Sequence, residues 1–255
     1  MHTVSLSEMT LRMVKEQQYE VAVLPIGSCE QHGMHLPYGT DSFEAELIAK
    51  RVCERAVELG AKVVLLPTIP YGVNSNMLAF PLTIHIQPST LNAFVRDIIC
   101  SLERHGIRKI VLFNGHGGNE FKPLLREIYG HTSAFVCVVE WWKVAGDIYP
   151  ELFEEPGEHS GAVETSVSLA LFPHLIHMEW ADEGKVRQSR FEAINEKWVD
   201  IVRPWERLTF TGGQGNPKEA TAEKGERIIN IVVERIAKFL AELSESPIDE
   251  LFPYM

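Results

Sequence analysis

Four short runs, each about a strand in length and apolar nearly throughout, constrain this chain more than any other feature. They are VAVLPI (residues 21–26), KVVLLP (62–67), KIVLFN (109–114) and AFVCVVE (134–140). A run that is apolar at both alternating sets of positions forms a strand with no face fit for water, so each face needs a covering layer. The intervening stretches have helical spacing. Residues 42–59 set Ile48, Val52 and Val57 on one stripe and stop at Gly60. Residues 90–105 do the same with Leu91, Phe94, Val95, Ile98 and Leu102, stopping at Gly106. Alternating strand and helix with short connections predicts an α/β fold, a parallel sheet with helices on both faces.

A last helix is predicted over 217–243, where Ile228, Ile229, Val232, Ile236, Phe239 and Leu243 form an apolar side. Periodicity is weak between 179 and 216, and TGGQGNP (211–217) reads as a loop. No repeat or break in composition divides the chain, so residues 1–255 are read as one domain. Hydrophobic residues make up 45% of it, enough to form a core without disulfide staples. The four cysteines, Cys29, Cys53, Cys100 and Cys137, form no CxxC pair and are expected to stay reduced. The net charge of −11 opposes a nucleic-acid or anionic-membrane surface, because both need clustered cations. MHTVSLSEMTLRMVKEQQYE at the N-terminus lacks an apolar signal core, and no run is long enough to span a bilayer. A cytoplasmic location is expected.

In a parallel sheet, ligands bind at the loops that leave the carboxyl ends of the strands. The loop after the first run is GSCEQHGMHLPYGTD, which gathers Glu30, His32, His35 and Asp41 within twelve residues. Carboxylates mixed with imidazoles suit Zn, Mn or Fe, whereas Ca and Mg favour oxygen alone. A polar solvated loop with incidental histidines is the plainer alternative. The third run ends directly in NGHGGN and presents His116 at the same sheet edge. A phosphate cradle fits that segment less well, because no Lys or Ser/Thr follows in P-loop order. A third segment, EHSGAVETS, carries Glu158, His159 and Glu164 at the start of an apolar helix running to Leu171. Glu164 there is either a helix-start residue or a buried carboxylate in need of a cation.

GSCEQHGMHLPYGTD, NGHGGN and EHSGAVETS together resemble the three signatures of the creatininase (creatinine amidohydrolase) family, with the likeness running from about residue 20 to 175. The resemblance implies a three-layer αβα sandwich with a mostly parallel central sheet, often assembled as a hexamer, and a small-molecule substrate. It also implies two divalent cations per chain. Glu30, Asp41 and His116 would hold one, while His32 and Asp41 would hold the other, with Asp41 bridging. His159 matches the family's catalytic histidine, and Glu158 is taken with it as the residue that would orient it, although neighbours on a helix point apart. In creatininase the second strand signature reads NGH-aromatic-Glu-Asn, and that Glu binds the second metal. Gly118 stands there in this chain, and Glu164 is the replacement we expect. Creatininase also closes a tryptophan lid over its substrate. Trp141 or Trp142 matches one lid residue, but FEEPGEHSG has no second, which argues against creatinine itself. The implied activity is metal-dependent hydrolysis of a non-peptide C–N bond, an amide or cyclic amide. A second reading keeps the metals and opens a cyclic diketone derived from inositol by C–C hydrolysis. A metal-stabilised scaffold without turnover is a third, and the intact His159 argues against it, since a scaffold has no need of a proton shuttle.

Overall fold

The computed structural model describes residues 3–254. Four parallel strands, β1 (Val21–Ile26), β2 (Val63–Leu65), β3 (Lys109–Asn114) and β4 (Phe135–Glu140), form a sheet in the order β2-β1-β3-β4. The sheet is wholly parallel, where a mostly parallel one is expected from sequence. Five longer helices pack on it: α1 (Thr40–Glu58), α2 (Pro88–Arg104), α3 (Lys122–Ile128), α4 (Ala162–Leu171) and α5 (Ala222–Glu245).

Strand alternation divides the core in two. Val21, Val23, Val111 and Phe113 point to one face and meet α1, α4 and α5. Ala22, Leu24, Ile110 and Leu112 point to the other and meet α2 and α3. The molecule therefore has three layers, α/β/α, because both strand faces are apolar. Where α5 crosses α4, a Cβ at Gly225 would stand 1.9 Å from the Ser166 carbonyl oxygen, so only glycine permits this approach.

Several element edges differ from expectation. α1 begins at Thr40, two residues early, which puts Asp41 in its first turn. α3 begins at Lys122 rather than Glu120, and α5 at Ala222, after a short 3-10 turn at Pro217–Glu219. Val57 and Phe94, read as buried stripe residues, are 46% and 53% exposed. Leu91, Val95 and Leu102 do face the core. Among the described residues, no helix is long and apolar enough to cross a membrane.

The connection from β1 runs over one face to β2, whereas that from β3 runs over the other to β4. The loops after β1 and β3 therefore diverge and leave a crevice at the carboxyl edge, the usual ligand position in such sheets.

Candidate metal centre

That crevice holds the three sequence segments together. Glu30 and His32 come from the loop after β1, Asp41 from the first turn of α1, and His116 from the loop after β3. His159 precedes α4 and Glu164 sits in its first turn. All are buried apart from Glu164, whose side chain is 19% exposed. Two triads have donor atoms close enough to share an ion: Glu30, Asp41 and His116, and His32, Asp41 and Glu164. A third group joins Glu30, His32 and His159.

Asp41 stands between the first two. Its Oδ1 lies 3.1 Å from His32 Nε2 and its Oδ2 lies 3.1 Å from His116 Nδ1. Glu30 Oε1 is also 3.1 Å from His116 Nδ1, and Glu164 Oε1 is 3.6 Å from His32 Nε2. Each histidine is held from behind by a backbone carbonyl. His32 Nδ1–H donates to Glu30 O at 3.1 Å, His116 Nε2–H to Val73 O at 3.1 Å, and His159 Nε2–H to Gln31 O at 3.0 Å. These anchors set the tautomers, so every inner nitrogen turns a lone pair toward carboxylate oxygens. Lone pair facing carboxylate is repulsive unless a cation lies between them. Asp41 Oδ2, buried and without a hydrogen bond, is left with the same need. The donor set therefore fits bound divalent metal, and outer-nitrogen anchoring is how metal-ligating imidazoles are commonly oriented.

Without a cation the cluster would draw in protons. Burial works against charge on His32 and His116, yet Asp41, with Glu164 or Glu30, raises both well above the usual imidazole value. Burial would likewise raise Asp41, but these two histidines hold it well below the carboxylate range.

The glycine at 118 has a structural cause. A Cβ there would lie 2.4 Å from both His116 Nε2 and Val73 O. The space that a glutamate would need is taken by the hydrogen bond that anchors His116. Gly118→Ala is expected to break that anchor, to cost about 1–3 kcal/mol of stability, and to lower metal content measured by elemental analysis.

Glu158 does not orient His159. Its carboxylate accepts from Arg203 and, at 2.7 Å, from Gln214 Nε2. The backbone of His159 is instead clamped by Gln214, whose N–H donates to His159 O at 2.7 Å. His35 lies outside all three ligand groups and meets Thr165 Oγ1 through Nε2 at 2.9 Å. Burial lowers its imidazole.

Two residues escape the sequence reading. Glu44 is fully buried one turn after Asp41, with Ser168 Oγ donating to it at 2.9 Å and its other oxygen unpartnered. Burial, and then Glu164, push its carboxyl well above the usual range. Positions 44, 48 and 52 share a helical stripe, and that was the available signal. Glu44→Gln, a neutral isostere, is expected to keep both metal content and melting temperature, the latter within about 1 kcal/mol of stability; a large loss in either would show that Glu44 works as a charge. The second residue is Trp205, which packs edge-on to His159 with ring centres 5.0 Å apart. It lines a cavity of about 430 Å³ with Trp141 and Trp142, over the floor formed by Glu30, Asp41 and His116. Three indoles wall the site, although the sequence near His159 shows none.

A doubly covered parallel sheet with a buried His–carboxylate cluster at its carboxyl edge defines a metal-site enzyme class. The chain belongs to the creatininase family, whose model, described as creatinine amidohydrolase, matches residues 7–240. It is 34% identical to creatinine amidohydrolase of Pseudomonas putida over 242 residues, covering 87% of this chain and 89% of that one. It is 25% identical to 3-dehydro-scyllo-inosose hydrolase of Thermotoga maritima over 261 residues, covering 93% and 82%. A crystal structure from Bacteroides fragilis, provisionally assigned as a creatinine amidohydrolase, superposes with a TM-score of 0.90 at 35% identity, covering 98% of this chain and 100% of that one. The chain is thus a hydrolase of the creatininase family, which is metal-dependent.

Proposed function

We propose that this protein, as a single catalytic unit, hydrolyses a non-peptide C–N bond in a small amide or cyclic amide with two divalent cations, drawn from Zn, Mn or Fe. Glu30, Asp41 and His116 would hold one cation, and His32, Asp41 and Glu164 the other. The observation that carries this reading is the turning of the inner nitrogens of His32 and His116 onto opposite oxygens of Asp41. Three carboxylates against two divalent cations leave one positive charge, which suits an anionic transition state. When bound, such ions polarise a carbonyl oxygen and make water nucleophilic near neutral pH.

The chain's own groups do the rest. His159 Nδ1 faces Glu30 Oε1 at 3.9 Å, while Nε2 is committed to Gln31. Nδ1 is thereby placed to take a proton at the cluster and to pass it to the leaving nitrogen as general acid. Trp205 packs against that ring, Gln214 pins the His159 backbone, and Glu158 ties Arg203 in the cavity lining. The three indole walls exclude water and suit a flat substrate. Trp205 supplies a second indole near His159, so the absence of tryptophan just before His159 no longer argues against creatinine.

C–C hydrolysis of a cyclic diketone derived from inositol is the second reading, supported by the likeness to the Thermotoga enzyme. Metal-loaded protein should release ammonia or amine from small amides, lose turnover on chelation and regain it when metal returns. Turnover of cyclic diketones with no amine release from any amide would favour the second reading; full turnover after chelation would sink both.

The same reading includes a closed oligomer, a hexamer, in the cytoplasm. Leu78, Leu82 and Ile84 are 55%, 88% and 42% exposed on one loop, which gives apolar surface for self-association. A stable, active monomer in light scattering at micromolar concentration would count against it.

A further inference from the structure

A second cavity, of about 600 Å³, adjoins the catalytic one and shares Glu158 and Arg203 with it as a common wall. It is built mainly by residues 186–208, the stretch without periodicity. In a chain of net charge −11, this cavity is lined by four cations, Arg187, Lys197, Arg203 and Arg207, against two carboxylates, Glu158 and Asp200. Arg203 is paired with Glu158, and Arg207 lies 3.7 Å from Glu206. The other two cations have no such partner: among the described residues, no carboxylate comes within the 4.0 Å of an ion pair to Arg187 or Lys197.

Arg187 is fixed all the same. Its Nη1 donates to the carbonyls of Arg207 at 2.9 Å and Thr209 at 3.0 Å, and its guanidinium lies 3.9 Å over the Phe210 ring. Lys197 sits at φ +58°, a left-handed backbone that a non-glycine residue rarely adopts. Its charge reaches the shared wall. Burial raises the Glu158 carboxyl, but Arg203 foremost, and Lys197 after it, bring it below its usual value. A pre-set guanidinium and an unneutralised ammonium on one cavity form an attractive field for an anion.

We propose that the outer cavity is an anion subsite, holding a carboxylate or phosphate at the far end of a substrate whose scissile bond lies in the catalytic cavity. The substrate is then longer than the catalytic cavity alone would admit, neutral where it is cut and anionic at its tail. The link to a scissile bond rests on the hydrolase reading above; anion binding itself does not.

Metal-loaded, full-length protein would be titrated calorimetrically with inorganic sulfate, a weak ligand for metal centres. Saturable binding is expected. Lys197→Gln, at an exposed position whose ammonium makes no ion pair among the described residues, should weaken it several-fold. Lys197→Gln with Arg187→Gln should weaken it by about tenfold or more, with metal content unchanged by elemental analysis. Sulfate affinity equal in wild type and Lys197→Gln overturns the subsite, as does affinity that vanishes on chelation yet survives the Lys197 change. Glutarate and methyl phosphate, competed against sulfate, separate the two anion sources; failure of both to displace it also overturns the proposal. An inactive protein that still binds sulfate through Lys197 would refute the hydrolase reading and leave the anion site standing.

Discussion

Asp41→Ala is expected to strip both cations from the protein and to abolish turnover, the largest effect of any single ligand change. Glu30 and His116 remain for one ion, and His32 and Glu164 for the other, so each triad falls to two donors. Other ligand changes spare one triad entirely. The damage extends to the metal-free state, because Asp41 is the shared counter-charge of His32 and His116. Removing one member of a buried, paired cluster typically costs about 3–5 kcal/mol. Asp41→Asn is the companion variant: it keeps the shape and a hydrogen-bonding oxygen, so it should lose less stability than alanine. Elemental analysis of the asparagine variant reads the bridging role directly. Two metals retained at full occupancy would mean that Asp41 bridges nothing.

The parts of this site that were legible in the sequence share one property. Glu30, His32 and Asp41 fall in a single loop, and His116 follows its strand at once, so strand–loop punctuation was enough to bring them to one edge. The helix layers were legible for a similar reason, since both strand faces are apolar and period 3.6 is clear in α2 and α5. What could not be read depends on contacts distant along the chain. Gln31 Nε2 donates to Gly212 O at 2.9 Å, across 181 positions, and Gln214 clamps His159 across more than fifty. Trp205 and Arg203 lie in a stretch with no periodicity, folded by its contacts with the site rather than by a stripe of its own. Glu158 misled because adjacency in sequence suggested a partnership with His159, whereas Arg203 and Gln214 claim its carboxylate. Glu44 was hidden by its residue type, since a glutamate on a helix ordinarily faces water.

Glu164→Gln is expected to lose one metal and keep the other. Glu164 Oε2 accepts the backbone N–H of Ser160, a residue held at φ +55°, which leaves Oε1 turned to His32. Gln can retain the bond from Ser160 through its carbonyl oxygen, so the local backbone should survive. It cannot supply negative charge, and the His32–Asp41 pair alone is a weak site for a divalent ion. The triad of Glu30, Asp41 and His116 is untouched. Elemental analysis should therefore fall from two metals per chain to one, and turnover should drop sharply. Stability of the chelated protein moves the other way or not at all. Burial raises the Glu164 carboxyl while His32 lowers it, and Glu44 is pushed up by burial first and by the Glu164 charge next. Neutralising position 164 relieves Glu44 as it deprives His32, and the two effects oppose each other, so the chelated variant should melt at or slightly above wild type. A Gln variant with two metals and full turnover would reduce Glu164 to a helix-start residue. His159, which shares a ligand group with Glu30 and His32, would then be the donor to test, because His35 faces Thr165 instead.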